Sequence, residues 1–231
     1  MSELLLAVPS RGRPYNIDRL ISHMRDTCRG DTTLLIGLDC DDPHLPVYKH
    51  LRGILKEDSP VNVELVIRSG LRQVVGWLNE LTVTRAPHYR YVGHIGDDNV
   101  PTTDGWDVQV MEALDKTPFA FGNDLNPNRA PGSLACHIFM RAEIVTALGY
   151  FGPPVLHHMY VDNVWTTWGL ETGITYLHET FLEHRHPSTG RAKHDDSYAA
   201  SEAWMSEDAV AFAWYCAHDL AGDVAKIRAL L

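Results

Sequence analysis

The sequence predicts an α/β fold, with a mostly parallel central sheet flanked by helices. Short apolar runs alternate with helix-period segments through the first hundred residues, in the order strand–helix–strand–helix–strand–helix–strand. Each of these strands also runs into a polar loop, and right-handed crossovers gather such loops at one edge of the sheet. At 231 residues, 45% hydrophobic and 22% charged, the chain is long enough for one large domain with a sizeable core.

Taken in order, Leu4 to Val8 is an apolar run that reads as a buried strand stopped by Pro9. Ser10-Arg11-Gly12-Arg13-Pro14 is a tight basic loop. A helix follows, with Asn16 as N-cap and Ile17, Leu20, Ile21 and Met24 at 3.6-residue spacing. This order puts Arg11 and Arg13 over the strand C-termini, where anions bind; their plain alternative is two solvated arginines. The second strand, Thr32 to Leu38, ends in Asp39-Cys40-Asp41-Asp42-Pro43. Asp39 and Asp41 are candidates for hydrogen bonds to a nucleoside base or ribose, or else caps of a short helix through Val47, Leu51 and Leu55. Val61 to Ile67 alternates as a third strand, Arg68 to Arg72 is a glycine loop, and a helix runs through Val74, Val75, Leu78 and Leu81.

The fourth strand, around Tyr89 to Ile95, carries Tyr89, Tyr91, Gly93 and Ile95 on one face. Gly96 turns the chain, and Asp97, Asp98 and Asn99 follow. Hard oxygen ligands on a short loop suit Mg²⁺ or Mn²⁺, either of which neutralises a diphosphate. The competing interpretation is a solvated Asp-Asn turn.

Beyond it come a helix from about Trp106 to Leu114, a strand at Phe119 to Gly122, and a polar loop from Asn123 to Ser133 with the character of a lid or acceptor loop. Leu134 to Met140 returns apolar, and Arg141 to Leu148 is helical. A helix beginning near Val161 places Asp162 in its first turn, as a dipole-matched charge or a carboxylate facing substrate. His157 and His158 read as ordinary histidines. Ile174 to Glu183 is a strand leading into His184 and His186, which share a face. Ser188 to Tyr198 reads as a polar connector whose Arg191 and Lys193 meet a diphosphate if it closes. The tail reads as structural helix, capped by Ser206 and packed through Val210, Phe212, Trp214 and Leu220.

The net charge of −10 argues against nucleic acid or an anionic membrane as partner. Four scattered cysteines without C-x-x-C spacing read as reduced thiols of a cytoplasmic protein. The sequence shows no signal-peptide pattern and no run of membrane-spanning length.

Four segments together resemble the GT-A (Rossmann-like) fold of nucleotide-sugar glycosyltransferases, in the small family-2-like form. Leu6 to Pro14 resembles the first strand and nucleotide loop, and Leu35 to Asp39 the second strand with its base-contacting aspartate. Ile95 to Asn99 sits where the family has its metal-binding Asp-x-Asp, and Tyr160 to Trp165 resembles the later acidic motif. The likeness covers roughly residues 4 to 198, a span suited to one domain. It implies a catalytic domain over 1–198, with a nucleotide part at 1–100, an acceptor part at 101–198, and a helical segment at 199–231 packed on it. It implies a donor site of Pro9, Ser10, Arg11, Arg13, Asp39, Asp41, Arg68, Asp97, Arg191 and Lys193. Metal ligands would come from Asp97, Asp98, Asn99, His184 and His186, and the catalytic carboxylate would be Asp162. Mn²⁺ or Mg²⁺, a UDP-sugar before a GDP-sugar, and a hydroxyl acceptor on a protein, glycan or small molecule complete the expectation. The sequence departs from the family at Asn99, where an aspartate is usual, and at Val161, where a glutamate often precedes the aspartate. A nucleotidyltransferase, a metal-dependent hydrolase and a non-catalytic binding module are the competing classes. The loop Pro9 to Pro14 lacks the glycine-rich, lysine-bearing character of the first.

Overall fold

The structure, a computed structural model, describes residues 3–51, 61–69 and 73–231. Among the described residues its sheet has eight strands: β1 (Leu4–Ser10), β2 (Thr32–Asp39), β3 (Val61–Arg68), β4 (Tyr91–His94), β5 (Asn99–Pro101), β6 (Phe119–Asn123), β7 (Ile138–Arg141) and β8 (Ile174–His184). Their order is β3-β2-β1-β4-β7-β6-β8-β5. The first four run parallel, β7 is antiparallel to β4 and β6, β8 is parallel to β6, and β5 is antiparallel to β8. Helices α1 (Pro14–Thr27), α2 (Leu45–Leu51), α3 (Val74–Thr82), α4 (Trp106–Leu114), α5 (Ala142–Leu148) and α6 (Val161–Thr172) connect or cover it. The chain closes with α7 (Asp196–Glu202), α8 (Met205–His218) and α9 (Leu220–Arg228).

β1 explains why its sequence is apolar without alternation. Leu5 and Ala7 enter the core on one face, while Leu4, Leu6 and Val8 enter the core on the other. A strand covered on both sides has no polar face. It does not stop at Pro9, as its sequence suggested, but runs on to Ser10, with Pro9 opposite Gly37. The last β1–β4 pair is Ala7 with His94, so the missing N–H of Pro9 falls where β4 has already left the ladder.

Other expectations are corrected in similar ways. α1 starts with Pro14 at its first turn and Arg13 as N-cap, because proline's fixed φ suits that position; Asn16 lies inside the helix. Asp42 does the work of ordering the turn before α2: its carboxylate accepts from Gly12 N (2.8 Å) and His44 N (2.7 Å). α2 buries Tyr48 and Leu51 and leaves Val47 exposed; Leu55 lies outside the described residues, as do Gly70, Leu71 and Arg72. The segment read as a polar connector holds α7, whose N-cap Asp195 accepts from Ser197 N and Tyr198 N. α8 begins after Trp204, before Ser206, and exposes Val210 and Trp214; its buried anchor is Tyr215. Among the described residues no helix is long and apolar enough to cross a membrane, and the four cysteines are free.

Candidate active site

The parallel registers bring Ser10 beside Leu38 and Asp39 beside Arg68, so the C-terminal ends of β1, β2 and β3 share one edge with the turn after β4. That turn, Ile95 to Asp98, joins β4 to β5. Asn99 closes it: the side-chain oxygen accepts from Gly96 N (2.6 Å), and its amide faces Leu182 O. A Cβ at Gly96 would meet Asp98 Oδ1 at 2.5 Å and Asn99 Oδ1 at 3.0 Å, so a larger residue there would displace both side chains.

Asp97 and Asp98 are both buried, 6% exposed, yet their surroundings divide them. Asp97 accepts from Ser10 Oγ (2.7 Å) and Arg13 Nη1 (3.1 Å). Burial pushes its pKa up to about 6, with Arg13 opposing and the charge of Asp98 adding to the rise. Asp98 Oδ2 accepts from Tyr198 Oη (2.8 Å) and lies 3.3 Å from His184 Nε2. Burial also works against its ionisation, but His184 and the two hydrogen bonds outweigh it and hold the carboxyl well below the ordinary range. His184 answers in kind: burial lowers it, Asp98 outweighs burial, and its pKa stands well above that of free histidine. The half-buried imidazolium and the buried carboxylate form one ion pair, seated by the Asn99–His184 register of β5 on β8.

Arg13, bonded to Asp97, ties the turn to α7. Its guanidinium grips Asp195 with two bonds (2.8 and 2.6 Å) and lies 3.9 Å over the Tyr198 ring. A cavity of about 190 Å³ opens beneath α7. Pro9, Ser10, Asp39 and Asp97 line it from the sheet edge, Val74 and Trp77 from α3, and Ser197, Ser201 and Trp204 from the C-terminal segment. Trp77 Nε1 donates to Asp39 Oδ1 (3.3 Å), and Arg11 bridges Asp39 (2.9 Å) and Asp41 (2.7 Å). A second cavity of about 130 Å³ lies against the first and is lined by Cys136, Tyr160, Asp162 and Trp165. Asp162 occupies the first turn of α6, where burial raises its pKa. Tyr160, just before it, holds φ at +66°, a conformation rare for a residue with a side chain, and stacks on Phe212.

The site thus gathers Pro9, Ser10, Arg11, Arg13, Asp39, Asp97, Asp98, Asn99, Asp162 and His184. Asp41 stands at its exposed rim, held by Arg11, and the site does not gather the rest. Arg68 turns to Glu80 (3.0 Å) and Arg191 to Glu183 (3.6 Å), Lys193 is exposed, and none of the three lines either cavity. His186 stands 5.2 Å from His184 ring to ring, but it packs edge-on against Tyr198 and bonds Ser188 through Nδ1. The polar loop after β6 is tied down by Arg129, which donates to Asp124 and to Cys136 Sγ. Asp124, Cys136 and His184 offer atoms within 4.8 Å of one another, with Arg129 already supplying positive charge there.

Sequence reasoning missed Trp77, His94, His158, Asp195, Tyr198 and Trp204. Strand parity held a signal for His94, placing it on the face of β4 away from Tyr91 and Gly93. Asp195 followed by a serine carried a helix-cap signal. The others have no local mark.

No protein-family model matches the chain, and no curated protein matches it in sequence. Solved structures do match it in shape. A mannosyltransferase from Pyrobaculum calidifontis, in complex with GDP-Man and Mn²⁺, superposes with a TM-score of 0.62 at 11% identity, over 99% of this chain and 80% of that one. TarS 1-349 of S. aureus, in complex with UDP, gives 0.59 at 12% identity, over 78% and 59%. The fold is GT-A-like. A 4-diphosphocytidyl-2C-methyl-D-erythritol synthase from Anaerococcus prevotii also shares the shape, with a TM-score of 0.56 at 8% identity, over 89% and 96%. The chain spans about three fifths of the TarS fragment. In this GT-A-like frame the turn after β4 stands at the edge where an open α/β sheet receives its ligand.

Proposed function

We propose that this chain transfers a sugar from a nucleotide sugar to an acceptor hydroxyl. One observation carries the proposal: two abutting cavities, one with Arg11, Asp39, Trp77 and the Asp97–Arg13 pair, the other with Asp162. A donor and an acceptor need such adjoining compartments. In the first, Asp39, Arg11 and Trp77 form the nucleoside end, and Arg13 supplies positive charge for the diphosphate. The donor set at Asp98 and His184 fits Mn²⁺ or Mg²⁺, because a buried carboxylate oxygen and an imidazole nitrogen stand together and the charge there is now met by a proton and a phenol. Asp98 and His184 would hold the ion, with Asp97 toward the ribose or a metal-bound water, and Asn99 keeps their turn in shape. When bound, the ion offsets the charge that develops on the departing diphosphate.

Asp162 is the carboxylate of the acceptor side. Its burial raises its affinity for a proton, which suits a general base in an inverting transfer. In a retaining transfer it would orient the acceptor. The anomeric configuration of the product, read by NMR, separates the two. A UDP-sugar is the first donor to try and a GDP-sugar the second; the structural neighbours hold UDP and GDP-Man respectively.

A thermal-shift screen of UDP-, GDP- and dTDP-sugars with and without Mn²⁺ tests the proposal, since a ligand that binds the native state raises its melting temperature by mass action. A metal-dependent shift with one nucleotide class, followed by sugar transfer to an acceptor panel, is the expected result. No shift with any nucleotide would overturn it. The synthase neighbour gives a second reading, nucleotidyl transfer, in which the chain would release pyrophosphate from a nucleoside triphosphate and a phosphorylated substrate.

A further inference from the structure

His94 and His158 occupy a place that no other described residue shares: both line the donor cavity and the acceptor cavity. His94 ends β4 and is 8% exposed. Its Nδ1 lies 2.9 Å from the carbonyl oxygen of Ala7. A carbonyl only accepts, so Nδ1 carries the proton and Nε2 presents a lone pair. No described residue donates to that nitrogen. His158 is held through its backbone N–H, which donates to Asp208 Oδ2 (2.8 Å), and neither of its ring nitrogens bonds a described residue. Burial lowers both imidazoles to a pKa of about 4, so both are neutral at physiological pH.

This position has a chemical meaning. The transferred unit is joined to the diphosphate at one end, near Asp97 and Arg13. The acceptor oxygen reaches the anomeric carbon at that same end from the side of Asp162, and the carbon–diphosphate bond breaks as the new one forms. Its ring therefore lies along the wall common to both cavities. A neutral ring nitrogen that only accepts, on a buried wall, selects for an O–H that donates to it. A ring bearing hydrogen or an ether at that place leaves the nitrogen unpaired, which is the costly case.

We propose that His94 and His158 bind the hydroxyls of the transferred sugar, His94 Nε2 accepting from one of them, and so set which sugar is used. The inference rests on the glycosyl-transfer reading of the site. Titration calorimetry on the full chain with Mn²⁺ tests it, comparing UDP with UDP-glucose, UDP-galactose and UDP-N-acetylglucosamine, and GDP with GDP-mannose. His94→Asn places an amide nitrogen where Nδ1 was, keeps the bond to Ala7 and deletes Nε2. His94→Gln places an amide at the Nε2 position instead. His158→Phe keeps the ring shape and the backbone bond to Asp208.

In His94→Asn, the nucleoside diphosphate binds within about twofold of wild type. The sugar nucleotide preferred by wild type weakens by roughly 10- to 100-fold, the effect of leaving one buried sugar hydroxyl without its acceptor. His94→Gln recovers part of that loss, and His158→Phe shows its own sugar-specific loss. Equal weakening of nucleoside diphosphate and sugar nucleotide, in variants that melt like wild type, overturns the proposal. So does an unchanged sugar-nucleotide affinity in both His94→Asn and His158→Phe. Failure of wild type to bind any of these nucleotides overturns the glycosyl-transfer reading itself, and is told apart because no variant is needed to see it.

Discussion

Two adjacent carboxylates in one turn are shifted in opposite directions, Asp97 toward keeping its proton and Asp98 toward losing it, and the cause is what surrounds each one. Asp97 faces a serine hydroxyl and one edge of a guanidinium already engaged by Asp195; Asp98 faces an imidazolium and a phenol. Asp98 is therefore the standing anion of the pair, and its partners are exchangeable for a cation. We expect Asp98→Ala to abolish metal-dependent turnover while leaving a metal-free nucleoside bound, measured by activity against Mn²⁺ concentration and by calorimetry without metal. Retained Mn²⁺ dependence in Asp98→Ala would mean the ion sits elsewhere. Asp162 sits on a different element, in the other cavity, and its substitution should separate binding from chemistry. Asp162→Asn is expected to leave donor affinity within about twofold and to lower kcat by two to four orders of magnitude, the usual contribution of a general base. Full activity in Asp162→Asn would remove it from the proton-transfer role.

At the scale of elements, the nucleoside end depends on a glycine in the middle of a strand. Gly37 lies in β2 opposite Pro9, and a Cβ there would stand 2.5 Å from the Trp77 ring. The bare backbone lets α3 lay Trp77 on the sheet, where its indole N–H reaches Asp39. Gly37→Ala is expected to push the ring off, at about 1–3 kcal/mol of overpacking, and to weaken nucleotide binding roughly tenfold. Tryptophan fluorescence and calorimetry would check it; an unmoved ring with unchanged affinity would refute the wall role of Trp77. The elements also show what the sequence could and could not disclose. β1 to β4, their shared edge and the position of Asp162 in a first turn were legible, because period and punctuation are local. α7 was not: only Tyr198 of its seven residues is buried, so it shows no apolar stripe. What holds so short a helix is tertiary, namely Arg13 on Asp195 and Tyr198. Arg68 misled for the converse reason: its backbone lies in the expected register, and its side chain answers to Glu80 on α3 instead. His94 and His158 are 64 positions apart, and their meeting at one wall belongs to the fold alone.

At the scale of the molecule, the C-terminal helices are built into the site. Tyr215 of α8 is fully buried, accepts from Trp168 Nε1 (2.9 Å) and donates to Asp223 of α9 (2.6 Å), which binds both helices to α6. Asp208 of α8 is fully buried too, and it organises the turn that precedes α6. Its carboxylate accepts the backbone N–H groups of His157 (2.9 Å), His158 (2.8 Å) and Met159 (2.7 Å), and lies 2.9 Å from His157 Nδ1. This turn presents His158 to the cavities and sets the approach to Asp162. Burial works against the Asp208 charge, but the bonds from the turn outweigh it and lower its pKa. A lowered folded pKa means that the stabilisation is fully present above the unfolded carboxylate value of about 4 and is lost as pH falls through the folded one. Asp208→Asn turns an amide toward backbone donors, so it should cost about 3 kcal/mol at pH 7, read by urea unfolding. The gap between wild type and variant should narrow at pH 3, below the unfolded carboxylate value, because unfolding of wild type then takes up a proton that the variant has no carboxylate to bind. A gap of equal size at both pH values would show that Asp208 acts through its shape and not its ionisation. Since the same carboxylate holds His158, 50 positions away in sequence, the variant should also lose sugar-nucleotide affinity at pH 7 while still folded, which ties the stability of the C-terminal helices to the selectivity of the site.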